Sequence, residues 1–302
     1  MRTVITLAAV AAIAAGATGT AARNAGTDAK AAGILAAARK AIGGARLDDL
    51  KAFSLQADMQ RNVGNYQLNA RLEMLLEMPD KYYRSEVLSG AMSGETTTGF
   101  NGDRPLRPAT TAAGGGSRMI VINGAGNSVA REKLSPEEQE KADRASVRTQ
   151  RIDLSHLMLG WFAAAHPATH ATYTYVGEAE SPDGKAHVIE ATSEDGLAAR
   201  LFVDDSTNLP LMVTYKGPQP RTLSRTAGSS AADMAKQLQA LRSQPPVMTD
   251  YTLFFDEWQD ADGIRFPMKI RRAMGGTTTE EWSVARVKVN PTIDAKKFAI
   301  EQ

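Results

Sequence analysis

The sequence predicts an α+β fold: one large antiparallel sheet of about nine to eleven strands with helices inserted between them. Three observations point to it. Apolar and polar residues alternate with a period of two from Tyr66 to Met78. A second series of short alternating segments, separated by Gly-, Pro- and Asp-rich turns, runs from residue 171 to residue 289. Helical patterns are confined to a few segments between these runs.

The elements follow in order. Met1-Arg2-Thr3 precedes a charge-free run from Val4 to Ala15, and Thr20-Ala21-Ala22 has the small-x-small form of a signal-peptidase site. This is the pattern of a secretory leader over residues 1–22, leaving 23–302 as a single domain. The run is roughly a dozen residues, short of the ~20 that span a bilayer, and the mature chain has no second run of that length, so it is expected not to span a membrane. Residues 28–51 form a helix with Leu35, Ala38, Ile42 and Leu47 in one stripe, kinked at Gly43-Gly44. Leu55, Ala57 and Met59 alternate with polar residues. Then Tyr66, Leu68, Ala70, Leu72, Met74, Leu76 and Met78 share one face, with Leu75 the exception on the other. Pro79-Asp80 turns the chain into a return strand, Tyr82 to Leu88, and Phe100 to Asp103 is a further turn. Residues 104–117, rich in Pro, Thr, Ala and Gly, read as a mobile insertion.

Ser135-Pro136-Glu137-Glu138 starts a helix: Ser as cap, Pro at the first position, Glu three after the cap. Asp153 to Ala165 is the most apolar helical stretch of the mature chain, with Leu154, Leu157, Met158, Trp161 and Phe162 on one face. Strands resume at 171–177, 186–193, 197–204 and 210–216. A second mobile insertion, 217–250, carries a helix from Ser230 to Arg242. The strands 250–259, 264–273 and 278–289 close the chain, and the parity change near Ala285-Arg286 predicts a bulge.

Catalytic chemistry finds no foothold. The chain has no cysteine, which excludes disulfides, thiol nucleophiles and a lipid-modified Cys. The four histidines are scattered; His166 and His170 are four apart, but Pro167 lies between them and no Glu follows His166 as in a zincin. No Gly-x-Ser-x-Gly elbow occurs, and Gly114-Gly115-Gly116-Ser117 lacks the lysine of a phosphate loop. Asp204-Asp205 and Glu280-Glu281 are adjacent on strands, so each pair points to opposite faces. Asp260-Ala261-Asp262-Gly263 lacks the remaining ligands of a calcium loop and reads as a turn. No catalytic residue, metal or cofactor is expected. With 35 basic and 34 acidic residues there is no phosphate-binding field, and nucleic acid is not an expected partner.

What remains is apolar surface. Of 12 methionines, Met59, Met74, Met78, Met212 and Met268 lie on strands. Methionine is adaptable and common on surfaces that accept varied apolar ligands, although core filling explains any single one. A curved sheet closed by few helices leaves a concave apolar cavity.

Four stretches resemble the LolA/LolB-like superfamily of envelope lipoprotein carriers: the leader followed by one helix and long strands; Leu72 to Glu86; Leu201 to Val213 with its Asp, turn and Leu209-Pro210; and Asp262-Gly263-Ile264-Arg265-Phe266-Pro267 with Val287 to Pro291 and Asp294 to Phe298. The resemblance implies an unclosed antiparallel barrel with a helical lid, a periplasmic location, a cavity for acyl chains and no catalytic residues. It implies lipid or lipoprotein acyl chains as cargo, with an envelope membrane protein as donor or acceptor. The lining expected on that basis is Leu72, Met74, Leu76, Tyr83, Phe254, Trp258, Phe266 and Met268, with Leu157, Met158, Trp161 and Phe162 as lid. The alternative is an envelope scaffold that holds a protein partner and has a filled core. A hydrolase of envelope lipids is disfavoured by the scarcity of histidine.

Overall fold

The computed structural model describes residues 27–64, 66–89, 94–106, 120–122, 135–182, 184–223, 236–237, 240 and 243–300. The leader, and most of the expected helix from Ser230 to Arg242, lie outside the described residues, as do 107–117 of the first insertion.

Chain order begins with α1 (Ala29–Ile42) and the short α2 (Ala45–Asp48), separated at Gly43-Gly44, where the kink was expected. There follow β1 (Ala52–Val63), β2 (Tyr66–Glu77), β3 (Lys81–Ser89), β4 (Gly94–Asn101), β5 (Arg104–Pro105) and β6 (Ile120–Ile122). One long helix, α3 (Pro136–Phe162), occupies the middle. Then come β7 (Thr172–Ser181), β8 (Gly184–Thr192), β9 (Ala198–Asp204), β10 (Pro210–Pro218), β11 (Arg221–Leu223), β12 (Met248–Ala261), β13 (Ile264–Met274) and β14 (Thr277–Val289).

Twelve strands form one antiparallel sheet in the order β5-β4-β3-β2-β1-β14-β13-β12-β10-β9-β8-β7; β6 and β11 pair separately. The first and last long strands therefore meet at the centre, and the edges β5 and β7 do not pair, so the curved sheet stays unclosed. The bulge expected near Ala285 exists: Gln56 faces Arg286 while Ala57 faces Val284. Long strands make a twelve-stranded sheet possible because each added strand satisfies a full ladder of backbone groups.

α3 unites what the sequence pattern divided. Its capping box is complete, with Ser135 Oγ accepting from the Glu138 amide and Glu138 from Ser135. No Gly or Pro interrupts it before Gly160, so it runs 27 residues and stops at Ala163 in the left-handed conformation. Its first half is polar; its last nine residues, Leu154 to Phe162, are all buried against the concave face. α1 is tied to the edge strand β7: the Asp28 amide donates to the Tyr173 carbonyl, and the Asp28 carboxylate accepts from the Tyr175 amide at 2.6 Å.

Leu75, the break in the β2 alternation, is explained by the other face. It is buried with Tyr83 and Leu106 beneath Phe298 of the C-terminal segment. No helix among the described residues is long and apolar enough to cross a membrane.

Candidate binding site on the concave face

The concave face divides into an apolar floor and a charged end. Phe53, Leu55, Ala57 and Met59 of β1, Leu72, Met74 and Leu76 of β2, Phe266 and Ile270 of β13 and Trp282 of β14 build the floor. Leu157, Met158, Trp161 and Phe162 of α3 pack onto it. Phe53 is the hub: its ring lies 5.2 Å from Phe162 in an edge contact, 5.4 Å from Phe266 and 5.8 Å from Trp161. Gly160 lets the helix approach, since a Cβ there would sit 1.9 Å from the Phe255 ring.

Of the expected lining, Leu72, Met74, Leu76 and Phe266 share one core with Leu157, Met158, Trp161 and Phe162, each at most 2% exposed. Trp258 and Met268 sit half-buried at the margin of that core. Tyr83 and Phe254 lie elsewhere. Tyr83 is on the opposite face, under Lys297, whose Nζ is 4.8 Å from its ring. Phe254 alternates with the buried Leu253 and Phe255 and carries the Arg271 guanidinium on its ring at 4.5 Å. The floor is thus filled by the helix.

The helix is not fully satisfied in that position. Gln150 Oε1, Arg151 Nε, His156 Nδ1 and Trp161 Nε1, all on α3, are buried with no hydrogen-bond partner in the protein. His156 is stacked on Tyr215 at 3.7 Å, and Tyr215 on Tyr251 at 5.2 Å. Burial, reinforced by the nearby Arg272, holds the His156 imidazole down at about 3. His166 is buried at the helix exit, where its Nδ1 accepts from the Ala168 amide and its ring meets Phe100 edge-on.

Sequence reasoning passed over the charged end. Arg61, Arg84, Glu86, Arg272 and Glu280 stand in it. Glu280 accepts from Arg61 Nε at 2.7 Å and from Trp282 Nε1 at 2.6 Å, and lies 3.8 Å from Arg84. Glu86 bridges Arg61 at 3.0 Å and Arg84 at 2.6 Å. Burial alone would push the Glu280 carboxyl up; the guanidiniums of Arg61, Arg272 and Arg84 outweigh it and hold it at about 2. Asp153 of α3 faces the same end. It keeps contact with water, yet the surrounding protein raises its carboxyl above the usual range, which places it at the mouth of the charged end. A signal for these residues was present: Arg61, Arg272 and Glu280 each continue the phase of an apolar alternation, Leu55-Ala57-Met59, Phe266-Met268-Ile270 and Trp282-Val284.

No family model and no curated protein matches the chain. Among solved structures it is similar to a LolA superfamily protein from Nitrosomonas europaea, with 11% sequence identity, 89% of this chain and 97% of that chain covered, and a TM-score of 0.50.

The fold is LolA-like.

Looser similarity extends to a DUF1329 family protein from Desulfovibrio piger (13% identity, 89% and 97% covered, TM-score 0.41) and to the MucA/MucB complex of Pseudomonas aeruginosa (12%, 87% and 100%, 0.22). Within this LolA-like frame, α3 is the helix that covers the concave face. The adjacent acidic pairs are separated as alternation requires: Glu280 points into the charged end, while Glu281 pairs outward with Lys269 at 3.1 Å. Asp204 caps its own turn through Ser206 and Thr207, and Asp205 accepts from His187 at 2.9 Å. Among the described residues no group of three or more His, Cys, Asp or Glu could hold a metal ion.

Proposed function

We propose that this protein is a non-enzymatic periplasmic carrier or sensor of lipid or lipoprotein acyl chains. Residues 1–22 act as a cleaved leader and 23–302 as the single mature domain. An envelope membrane protein is the donor or acceptor. The acyl chain takes the place of the C-terminal half of α3 on the floor formed by Leu72, Met74, Leu76 and Phe266. The observation that carries this reading is the state of the helix: it covers an unbroken apolar floor while four of its buried polar atoms lack a protein partner. A buried polar atom without a partner costs roughly 1–3 kcal/mol. Withdrawing the helix returns those atoms to water and uncovers a surface suited to methylenes, each worth ~0.8 kcal/mol on burial.

The second reading, an envelope scaffold that holds a protein partner, is favoured by the close packing of Phe53, Trp161, Phe162 and Phe266. Native mass spectrometry separates the two, using protein purified without detergent from its own envelope fraction. Co-purifying acyl species of defined mass, released by organic extraction, are expected. A bare protein mass, with no uptake of added fluorescent fatty acid, refutes the carrier reading in favour of the scaffold.

A further inference from the structure

We infer that the charged end of the concave face is a binding site for an oxyanion, a carboxylate or a phosphate, seated on Arg272. Three guanidiniums meet there, and only two glutamates are committed to them. Arg272 of β13 faces Glu280 of β14, which in turn faces Arg61 of β1, so the three form a row across adjacent strands. Glu280 is already engaged by Arg61 and by the Trp282 indole. Glu86 is shared between Arg61 and Arg84. Arg272 is the guanidinium of the three without a direct carboxylate contact, although the charge of Asp153 on α3 acts on it. Its Nε is buried without a hydrogen-bond partner, and it forms no ion pair among the described residues. A guanidinium cannot shed its proton to escape this position, because it stays protonated at any pH at which the protein is folded.

A second group lies within electrostatic reach of Arg272 from the helix side. His156 is 5% exposed, and its Nδ1 is buried without a partner. The imidazole lies flat on Tyr215, with the ring centroids 3.7 Å apart. Its Nδ1 can carry a proton as readily as its Nε2. Arg272 is not sealed off, and Asp153 at the mouth keeps contact with water. An oxyanion entering there would accept from the Arg272 fork and from the imidazole. It would satisfy two orphaned groups.

The site lies directly beyond the apolar floor, since Arg272 follows Ile270 and Arg61 follows Met59 on the same face. Resting on the carrier reading, the geometry assigns an amphiphile with its chain on the floor and its anionic head at Arg272.

The test compares palmitate, hexadecyl phosphate and methyl palmitate by titration calorimetry on wild type and Arg272→Gln, with circular dichroism confirming the fold. In parallel, inorganic phosphate and acetate are titrated while the Arg272 Nε–H signal is followed by NMR, assigned from its loss in Arg272→Lys. Both anionic amphiphiles should bind wild type about ten- to a hundredfold more tightly than the ester, and Arg272→Gln should erase that preference. Whichever head binds more tightly identifies the source as carboxylate or phosphate. Equal binding of acid and ester to wild type overturns the anion site and leaves the carrier reading standing. If no amphiphile binds but phosphate or acetate shifts the Arg272 signal, the anion site holds and the carrier reading falls. If no amphiphile binds and the signal does not move, both fall.

Discussion

Replacing Glu280 with Gln should destabilise the protein by roughly 3 kcal/mol near neutral pH and by almost nothing in strong acid. The carboxylate is 4% exposed and accepts from Arg61 at 2.7 Å, with Arg84 at 3.8 Å. Removing it leaves Arg61 and Arg84 with Glu86 as their direct partner and leaves Arg272 with Asp153 as its remaining nearby carboxylate. Breaking a buried charge pair from one side costs about 3–5 kcal/mol. The proton linkage leads to a similar figure. The folded-state value of about 2 lies below the ordinary 4.5, and that difference corresponds to roughly 3 kcal/mol. Because the pKa is depressed by folding, the stabilisation is complete above 4.5 and is lost as pH falls from 4.5 toward 2. Urea unfolding followed by circular dichroism, at intervals from about pH 7 to pH 2.5, measures both proteins. The gap between wild type and Glu280→Gln should be constant down to about pH 5 and close below it. A gap that persists unchanged at pH 3 would show that the substitution acts through packing around Trp282, and the electrostatic account of the charged end would be wrong.

Other substitutions probe the helix. His156 stays neutral when folded, with its pKa lowered from 6.5 to about 3, so the unfolded chain binds its proton first and wild type loses stability as pH falls through 6.5. His156→Phe should keep the stack on Tyr215 and remove that slope, gaining about 2–3 kcal/mol on wild type by pH 4.5 in the same unfolding assay. Gly160→Ala puts a methyl carbon into the Phe255 ring; a loss of roughly 1–3 kcal/mol is expected, together with faster uptake of fluorescent fatty acid if the helix is the lid. Leu157→Cys introduces the only thiol into a chain that has none. That thiol should react slowly with maleimide in the free protein and several-fold faster once palmitate is added; an unchanged rate means that the helix stays in place.

Most of the sheet was legible because strand alternation is local. The period-two run in β2, the hairpin to β3, the four strands of β7 to β10 and even the bulge opposite Gln56 follow from side-chain parity and turn residues. Alternation stops being informative where a tertiary neighbour decides. Leu75 and Tyr83 are apolar on the outer face because Phe298, more than two hundred residues on, covers them, and no local pattern announces that cover. Phe254 is on the outer face of β12 for a related reason: it shields its ring with Arg271 from the adjacent strand. α3 was divided because its polar first half and apolar second half have different compositions, although nothing between them breaks a helix. The charged end was legible in principle. Each of Arg61, Arg272 and Glu280 stands where alternation calls for an apolar side chain, and a charge in a buried phase requires a partner. Reading alternation only for its apolar members concealed it.

The choice between carrier and scaffold turns on what it takes to lift α3. Six of its fully docked side chains, Leu154, Leu157, Met158, Leu159, Trp161 and Phe162, are buried to 2% exposure or less. At ~2 kcal/mol for each buried apolar side chain, exposing them all would cost roughly 12 kcal/mol. A sixteen-carbon chain laid on the same floor returns about the same amount at ~0.8 kcal/mol per methylene. The exchange is therefore close to even before other terms are counted. The partnerless atoms of Gln150, Arg151, His156 and Trp161 favour the open state, since each regains water when the helix leaves. A protein partner bound elsewhere gains nothing from uncovering the floor, so the scaffold reading has no use for a helix held at this cost. The orphaned donors on α3 and on Arg272 are thus what a binding site closed over by its own lid should display, and a core built only for stability would have replaced them with apolar groups of the same shape.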